Sequence, residues 1–149
     1  MFKKFLITSL FGFTTLLSAN AMNNINPQTF QIMKEEITKF NKKMPISQEK
    51  GMSLRNVSLS DSGVITYKVL IDPKFIEKEV GKDFDKLELS ELKKRVIPVY
   101  MNYQIRNICS NSQTRNVLKM GFSFRYNYFF GNSKKLGSTY INAKMCKVK

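Results

Sequence analysis

The spacing of apolar residues along the chain predicts its regular elements. Helical spacing predicts an amphipathic helix over about 28–42, with Asn26 as its N-cap and Pro27 at its first position. Two shorter helices are predicted near 74–80 and over about 112–120. The apolar face of the first helix is formed by Phe30, Met33, Ile37 and Phe40.

Alternation of apolar and polar residues predicts two β-hairpins. The first joins strands Met52–Leu59 and Val64–Ile71 through Asp61-Ser62-Gly63. The second pairs an aromatic strand over 122–130 with a return strand over 136–146. We expect the aromatic face to pack beneath helices as core, and the alternative is a platform for a ligand such as a peptidoglycan sugar. That face carries Phe122, Phe124, Tyr126, Tyr128 and Phe130.

The segment that follows Ser90 fits two patterns. Ser90 is a good N-cap, which favours a helix, and Pro98 is expected to kink that helix. The helical face would carry Leu92, Val96, Val99 and Tyr103. A strand remains the alternative, because apolar residues also alternate at Val99, Met101, Tyr103 and Ile105.

These elements predict a single α+β domain over 22–149. Its sheet is expected to be antiparallel, with about four strands in two hairpins, and its helices are expected to pack on one face. One disulfide is expected to brace the domain.

The first 21 residues have the layout of a secretory signal peptide. Lys3-Lys4 precedes an uncharged, largely apolar run over 5–17, and Ala19-Asn20-Ala21 forms a small-residue cleavage motif. The run is shorter than the roughly 20 apolar residues of a spanning helix, so we prefer cleavage before Met22 over retention as an anchor. The expected location is periplasmic or secreted, with no transmembrane segment after removal of the leader.

The chain has two cysteines, Cys109 and Cys146. An even number in an exported chain predicts a disulfide, which would contribute about 3–4 kcal/mol in the chain-entropy model. A metal pair or a reactive thiol is the alternative, but a chain without histidine offers a poor metal site. The bond would tie the helix before Cys109 to the C-terminal hairpin.

Positive charge is concentrated in the C-terminal part of the chain. Its 25 Lys and Arg exceed its 11 Asp and Glu, for a formal net charge of +14. Every Asp and Glu lies within residues 22–91, whereas the charged residues of 92–149 are all Lys or Arg. This segment forms either a basic face for an acidic partner or a merely solvated face. The candidate basic surface consists of Arg106, Arg115, Lys119, Arg125, Lys134, Lys135 and Lys144.

The sequence offers little catalytic chemistry. Without histidine, no Ser–His or Cys–His dyad can form, and no nucleotide-binding motif is present. Asp83, Asp85 and Glu88 only faintly resemble a calcium loop, because the EF-hand spacing and its central glycine are missing. No catalytic residue, metal or cofactor is therefore expected, and the chain is not expected to be an enzyme.

The C-terminal part of the chain contains a motif made of Cys109, Arg115-x-x-Leu118, Gly121-Phe122-x-Phe124-x-Tyr126-x-Tyr128, Gly131, Leu136-Gly137 and Cys146. Through this motif the chain resembles small exported two-cysteine proteins of Gram-negative bacteria over roughly residues 50–146. A fainter similarity, in size and in one disulfide that holds an α+β sheet, is to pilotins of type II secretion systems. Pilotins are typically lipoproteins, whereas this chain has no cysteine near the predicted cleavage point. The resemblance implies no catalytic residues.

The features together predict an exported, non-enzymatic binding or accessory protein. It would act on a protein or on an anionic envelope component, and nucleic acid is not an expected partner of an exported chain without a recognition module. One alternative is an immunity or inhibitor protein against a toxin or a cell-wall enzyme. The other is a secreted enzyme that uses carboxylates.

Overall fold

The computed structural model of the protein describes residues 25–131 and 134–148, so the predicted signal peptide lies outside the described residues. Within the described part, the chain forms four α-helices and five β-strands, which confirms the α+β class. The helices are α1 (Pro27–Asn41), α2 (Pro73–Val80), α3 (Leu89–Ser110) and α4 (Ser112–Lys119). The strands are β1 (Ile46–Ser47), β2 (Met52–Leu59), β3 (Val64–Ile71), β4 (Ser123–Phe130) and β5 (Lys134–Ile141).

The five strands form one sheet in the order β1-β2-β3-β4-β5. Both predicted hairpins are confirmed, because β2 pairs with β3 and β4 pairs with β5, each antiparallel. The prediction of an antiparallel sheet with about four strands is wrong, because β3 and β4 are parallel. The sheet is mixed and includes β1, whose two residues are too few for alternation to reveal a strand.

The helices between the hairpins explain the direction of β4. Parallel neighbours need a crossover connection of about a dozen or more residues, usually helical. The chain leaves β3 at Ile71, passes through α2, α3 and α4, and enters β4 at Ser123. It thereby returns to the end where β3 begins, and the two strands pair in register from Val64↔Ser123 to Ile71↔Phe130.

The ambiguous segment is a helix, α3, which contains Pro98. Its first residue is Leu89, and the side chain of the N-cap Glu88 makes no capping bond, so the predicted cap at Ser90 is wrong by two positions. Its buried residues are four apart: Leu92, Val96, Tyr100, Gln104 and Ile108. Among the described residues, no helix combines the length and apolarity needed to cross a membrane.

The last strand is shorter than predicted. It ends at Ile141 rather than continuing to Cys146, because the chain enters turns over 143–147. The Asn142 side chain accepts a hydrogen bond from the Met145 backbone N–H at 3.1 Å, which stabilises this turn. Cys146 therefore lies beyond the hairpin.

The two faces of the sheet have different environments. Alternate residues of β3 and β4, such as Ile65, Tyr67, Phe124 and Tyr126, are buried in the core. On this inner face α1 and α3 cover the sheet: Phe30 of α1 stacks on Phe122, with ring centroids 6.5 Å apart, and Tyr100 of α3 packs on Tyr128 at 5.8 Å. The intervening residues of these two strands form an outer face, on which Lys68 and Arg125 are exposed, Ser123 is buried and the other residues are partly buried.

Asn41, the last residue of α1, makes hydrogen bonds to backbone groups of Val57 at the edge of β2 that has no neighbouring strand there. Its side-chain amide donates to the Val57 carbonyl at 2.7 Å, and its side-chain oxygen accepts from the Val57 N–H at 2.8 Å. This pair of bonds takes the place of a neighbouring strand, since β1 pairs only with Ser53 and Leu54. Asn41 therefore adds two hydrogen bonds to the apolar contacts between the first helix and the sheet.

We predict that Asn41→Ala lowers the free energy of unfolding by about 1–3 kcal/mol, because two backbone groups of Val57 lose their partners. Urea unfolding of the purified protein measures the change. Asn102→Ala, on the exposed side of α3, is the matched control and should change stability by less than about 0.5 kcal/mol. Equal effects of the two substitutions would contradict the bridging role of Asn41.

Candidate binding surfaces

The aromatic row of β4 lies in the core rather than forming a ligand platform. Phe122, Phe124, Tyr126 and Tyr128 are at most 2% exposed. Tyr126 stacks on Tyr67 of β3 with ring centroids 4.9 Å apart and planes inclined by 9°. The fifth member, Phe130, is only partly buried. The expectation that helices cover this row is therefore confirmed for its first four residues.

Burial changes the titration of the core tyrosines. The hydroxyls of Tyr67 and Tyr126 have no hydrogen-bond partner in the described chain, and desolvation raises the pKa of each well above its ordinary value. Desolvation, with smaller contributions from Glu79 and Asp72, raises the pKa of Tyr100 to about 12. The Tyr100 hydroxyl donates to the Lys50 carbonyl at 3.1 Å. These tyrosines therefore stay neutral in the folded protein.

The exposed charges of the strands all have one sign. The five strands contain Lys and Arg residues but no Asp or Glu. Each of these cations is solvent-exposed. They are Arg55, Lys68, Arg125, Lys134 and Lys135.

Three of the strand cations lie over aromatic rings, and one of them is Lys134, whose ammonium is 5.7 Å from the centroid of the Phe130 ring. The Lys68 ammonium is 5.2 Å from the centroid of the Phe129 ring, and the Arg125 guanidinium is 5.6 Å from that of Tyr140. Tyr140 is 43% exposed, and its hydroxyl donates to Ser123 Oγ at 3.0 Å. Cation–π contacts of this kind orient the positive groups without neutralising them.

The acidic residues lie on helices and connections, away from the strands. In the described chain, salt bridges join Lys39 to Glu36, Lys86 to Asp83 and Arg95 to Glu91, at 2.7–2.9 Å. Each pair is three or four residues apart and consists of exposed or partly exposed side chains, so it contributes little to stability. No described carboxylate is paired with a strand cation.

A disulfide joins Cys109 of α3 to Cys146 of the C-terminal turn, with their Cα atoms 4.9 Å apart. The predicted bond is thus present, although its second cysteine follows the hairpin. Arg115 of α4 strengthens the junction: its Nη1 donates to the Cys109 carbonyl at 3.2 Å and to the Cys146 carbonyl at 2.9 Å. One guanidinium therefore connects both cysteine backbones.

The C-terminal turn presents an apolar side chain between cations. Met145 is 45% exposed, and Lys144 and Lys147 beside it are exposed as well. The disulfide holds this turn against the end of α3, where Arg106 is exposed one helical turn before Cys109. We call the group formed by Arg106, Lys144, Met145 and Lys147 the disulfide corner.

The structure distributes the predicted basic residues over several places. Arg125, Lys134 and Lys135 belong to the sheet, and Arg106 and Lys144 belong to the disulfide corner. Lys119 is exposed at the end of α4, whereas the half-buried Arg115 is occupied by the cysteine carbonyls.

Arg55 and Lys68 are not among the predicted basic residues, because they belong to the electrically neutral part of the chain. The alternation of β3, in which Lys68 stands between buried Tyr67 and Val69, is the signal that could have revealed the second of them.

The candidate calcium residues are not part of a cluster. Among the described residues, no group of three or more Asp, Glu, Cys or His side chains is arranged to hold a metal ion. Asp83 instead pairs with Lys86 at 2.8 Å.

Solved structures with the same fold include two pilotins. The chain is similar to the pilotin EpsS from the type 2 secretion system of Vibrio vulnificus, with a TM-score of 0.60, 12% identity and coverage of 80% of this chain and 93% of EpsS. It is also similar to AspS, a type II secretion system pilotin from Vibrio cholerae, with a TM-score of 0.53, 10% identity and coverage of 80% and 94%.

A third structure with this fold is a candidate secreted protein from Pseudomonas aeruginosa, with a TM-score of 0.55, 11% identity and coverage of 80% and 90%. No protein-family model and no curated protein sequence matches the chain. The expected similarity to pilotins is therefore confirmed, at the level of the fold.

We predict that Tyr67→Phe leaves the free energy of unfolding at pH 7 unchanged or raises it by about 1 kcal/mol, because it removes a buried hydroxyl without a partner. The raised pKa values imply that stability is fully present below the unfolded-state pKa of about 10 and falls as pH rises above it. Tyr67→Phe should reduce that alkaline loss. Urea unfolding from pH 7 to 11 tests both effects, and a clear destabilisation at pH 7 would show that the hydroxyl is bonded.

We predict that Arg115→Ala lowers the free energy of unfolding of the oxidised protein by about 1.5–3 kcal/mol, since two carbonyls lose a charged donor. Arg106→Ala is the matched control and should shift it by less than about 0.5 kcal/mol, because Arg106 is exposed. Unfolding is measured with and without reductant, and breaking the disulfide should itself cost about 3–4 kcal/mol. Equal losses for Arg115→Ala and Arg106→Ala would rule out the bridging role.

Proposed function

We propose that this protein is an exported, non-enzymatic accessory protein of the bacterial envelope that acts by binding another protein. The observation that carries the proposal is the shared fold, which spans 93% and 94% of two pilotins of type 2 secretion systems. A fold alone does not define a function, so the surface chemistry of this chain must supply the remaining support.

The disulfide supports the exported location. Structural disulfides form and persist in oxidising compartments such as the periplasm. The bond between Cys109 and Cys146 links α3 to the C-terminal turn, and Arg115 binds both cysteine carbonyls. This junction agrees with the leader expected over residues 1–21.

The disulfide corner is the proposed contact with the partner. An exposed methionine adapts its shape to an apolar surface, and Lys144, Lys147 and Arg106 around it favour an acidic one. The disulfide fixes the turn before binding, which lowers the conformational entropy lost on association. The partner is thus expected to present an apolar side chain surrounded by carboxylates.

Lys119 and the other exposed cations of the predicted basic surface contribute through their long-range field. Twelve of the 25 Lys and Arg lie within 92–149, where no acid is present, and this field would speed the approach of an acidic partner. Arg115 is assigned a structural part instead, because its guanidinium is already engaged.

Site-specific photocrosslinking in intact cells tests the proposal. A photoreactive residue at position 145 should give a crosslink to one envelope protein, whereas the same residue at the exposed position 34 of α1 should not. Lys144→Gln with Lys147→Gln should weaken the crosslink, and so should added salt, because surface charges are screened. Fractionation should recover the chain oxidised and outside the cytosol. A reduced cytosolic chain, or equal crosslinking from both positions, would refute the proposal.

A further inference from the structure

The outer face of the sheet carries cations that do not belong to the disulfide corner. We propose that this face docks on the surface of an anionic phospholipid bilayer. The inference rests on the proposed function only in placing the protein in the envelope. The docking cations are Arg55, Lys68, Arg125 and Lys135, and we call them the sheet-face cations.

The sheet-face cations form a two-dimensional array. Lys68 lies opposite Asn127 in the strand register and Arg125 lies opposite Thr66, so the two cations are diagonal neighbours, about 7–8 Å apart at the backbone. The other two members extend the array to the flanking strands. Arg55 is the unpaired residue of a β-bulge in β2 and is exposed beside Asn56, the partner of Lys68, and Lys135 pairs with Phe129.

Four adjacent strands thus contribute one cation each, over a width of about 14 Å at about 4.8 Å between strands.

Aromatic rings orient two of the sheet-face cations, and these rings do not neutralise their charge. Lys68 lies over the Phe129 ring and Arg125 lies over the Tyr140 ring, and no described carboxylate pairs with either cation. Like charges this close repel one another, so the arrangement favours an anion that binds several of them at once. The rings restrict the cations and thereby reduce the entropy lost on binding.

The shape of the array favours a lipid surface over a linear polyanion. A single polymer chain follows one line, whereas these cations stand on four strands and at different levels along them. A bilayer presents phosphates over an area. Partly exposed aromatic side chains, Phe129 and Tyr140, lie among the cations, and amphipathic rings are suited to the headgroup region.

Vesicle co-sedimentation with the oxidised, exported protein tests the docking. The probes are phosphatidylcholine vesicles with and without phosphatidylglycerol. Each cation near an anionic surface contributes roughly fivefold to binding. We therefore expect Arg55→Gln/Lys68→Gln/Arg125→Gln to weaken binding to the anionic vesicles at least roughly tenfold.

A matched variant separates the array from net charge. Lys34→Gln/Lys93→Gln/Lys94→Gln removes three exposed cations from α1 and α3, and it should bind within about twofold of the parent. Arg55→Lys/Lys68→Arg/Arg125→Lys keeps the charge and should retain binding. Thermal unfolding confirms that each variant is folded, and Lys68→Gln and Arg125→Gln are tested singly if the triple variant is not.

Several results would overturn the proposal. These are an absence of binding to anionic vesicles, equal binding to neutral vesicles, and equal losses in the two glutamine triples. Binding of a dissolved polyanion such as heparin, without binding of vesicles, would assign the face to a soluble anion instead. Capture of an acidic protein by the same cations, again without vesicle binding, would make the face a second protein contact. None of these outcomes depends on the crosslink at position 145, so the two proposals fail separately.

Discussion

The parallel pairing of β3 with β4 is the interaction on which the rest of the structure depends. It joins two hairpins, each of which would be only marginally stable alone, into a sheet with one apolar face. The pairing is in register over the full length of both strands, from Val64↔Ser123 to Ile71↔Phe130. Because side chains alternate, this one register decides which residues meet on both faces.

On the inner face, the pairing stacks Tyr67 on Tyr126 beneath the helices, and burial keeps both hydroxyls protonated. On the outer face, it sets Lys68 beside Arg125, two cations from segments of very different charge balance. The neutral N-terminal part and the basic C-terminal part therefore share one positive surface. Aromatic rings rather than carboxylates hold these two cations, so their charge remains free for a partner.

The disulfide fixes the position of the C-terminal turn. Cys109 and Cys146 close the C-terminal turn on α3, and Arg115 reinforces the junction through both carbonyls. The exposed Met145 is thereby presented from a fixed turn. The pilotins EpsS and AspS share the fold at 12% and 10% identity, so the assignment of a partner depends on these surfaces and not on the likeness.

Local patterns of the chain were sufficient for α1, α2 and α4, both hairpins and the buried aromatic row, whereas the pattern of α3 also fitted a strand. Capping at Asn26 and the alternation of β4 are properties of neighbouring residues, so local patterns reveal them. The direction of β4, the two-residue β1 and the union of Lys68 with Arg125 depend on contacts between residues far apart in the chain. Composition assigned twelve of the fourteen excess positive charges to residues 92–149. Only the crossover through three helices placed some of these charges beside the electrically neutral part of the chain. Packing in three dimensions, and not the local sequence, selects which strands are neighbours.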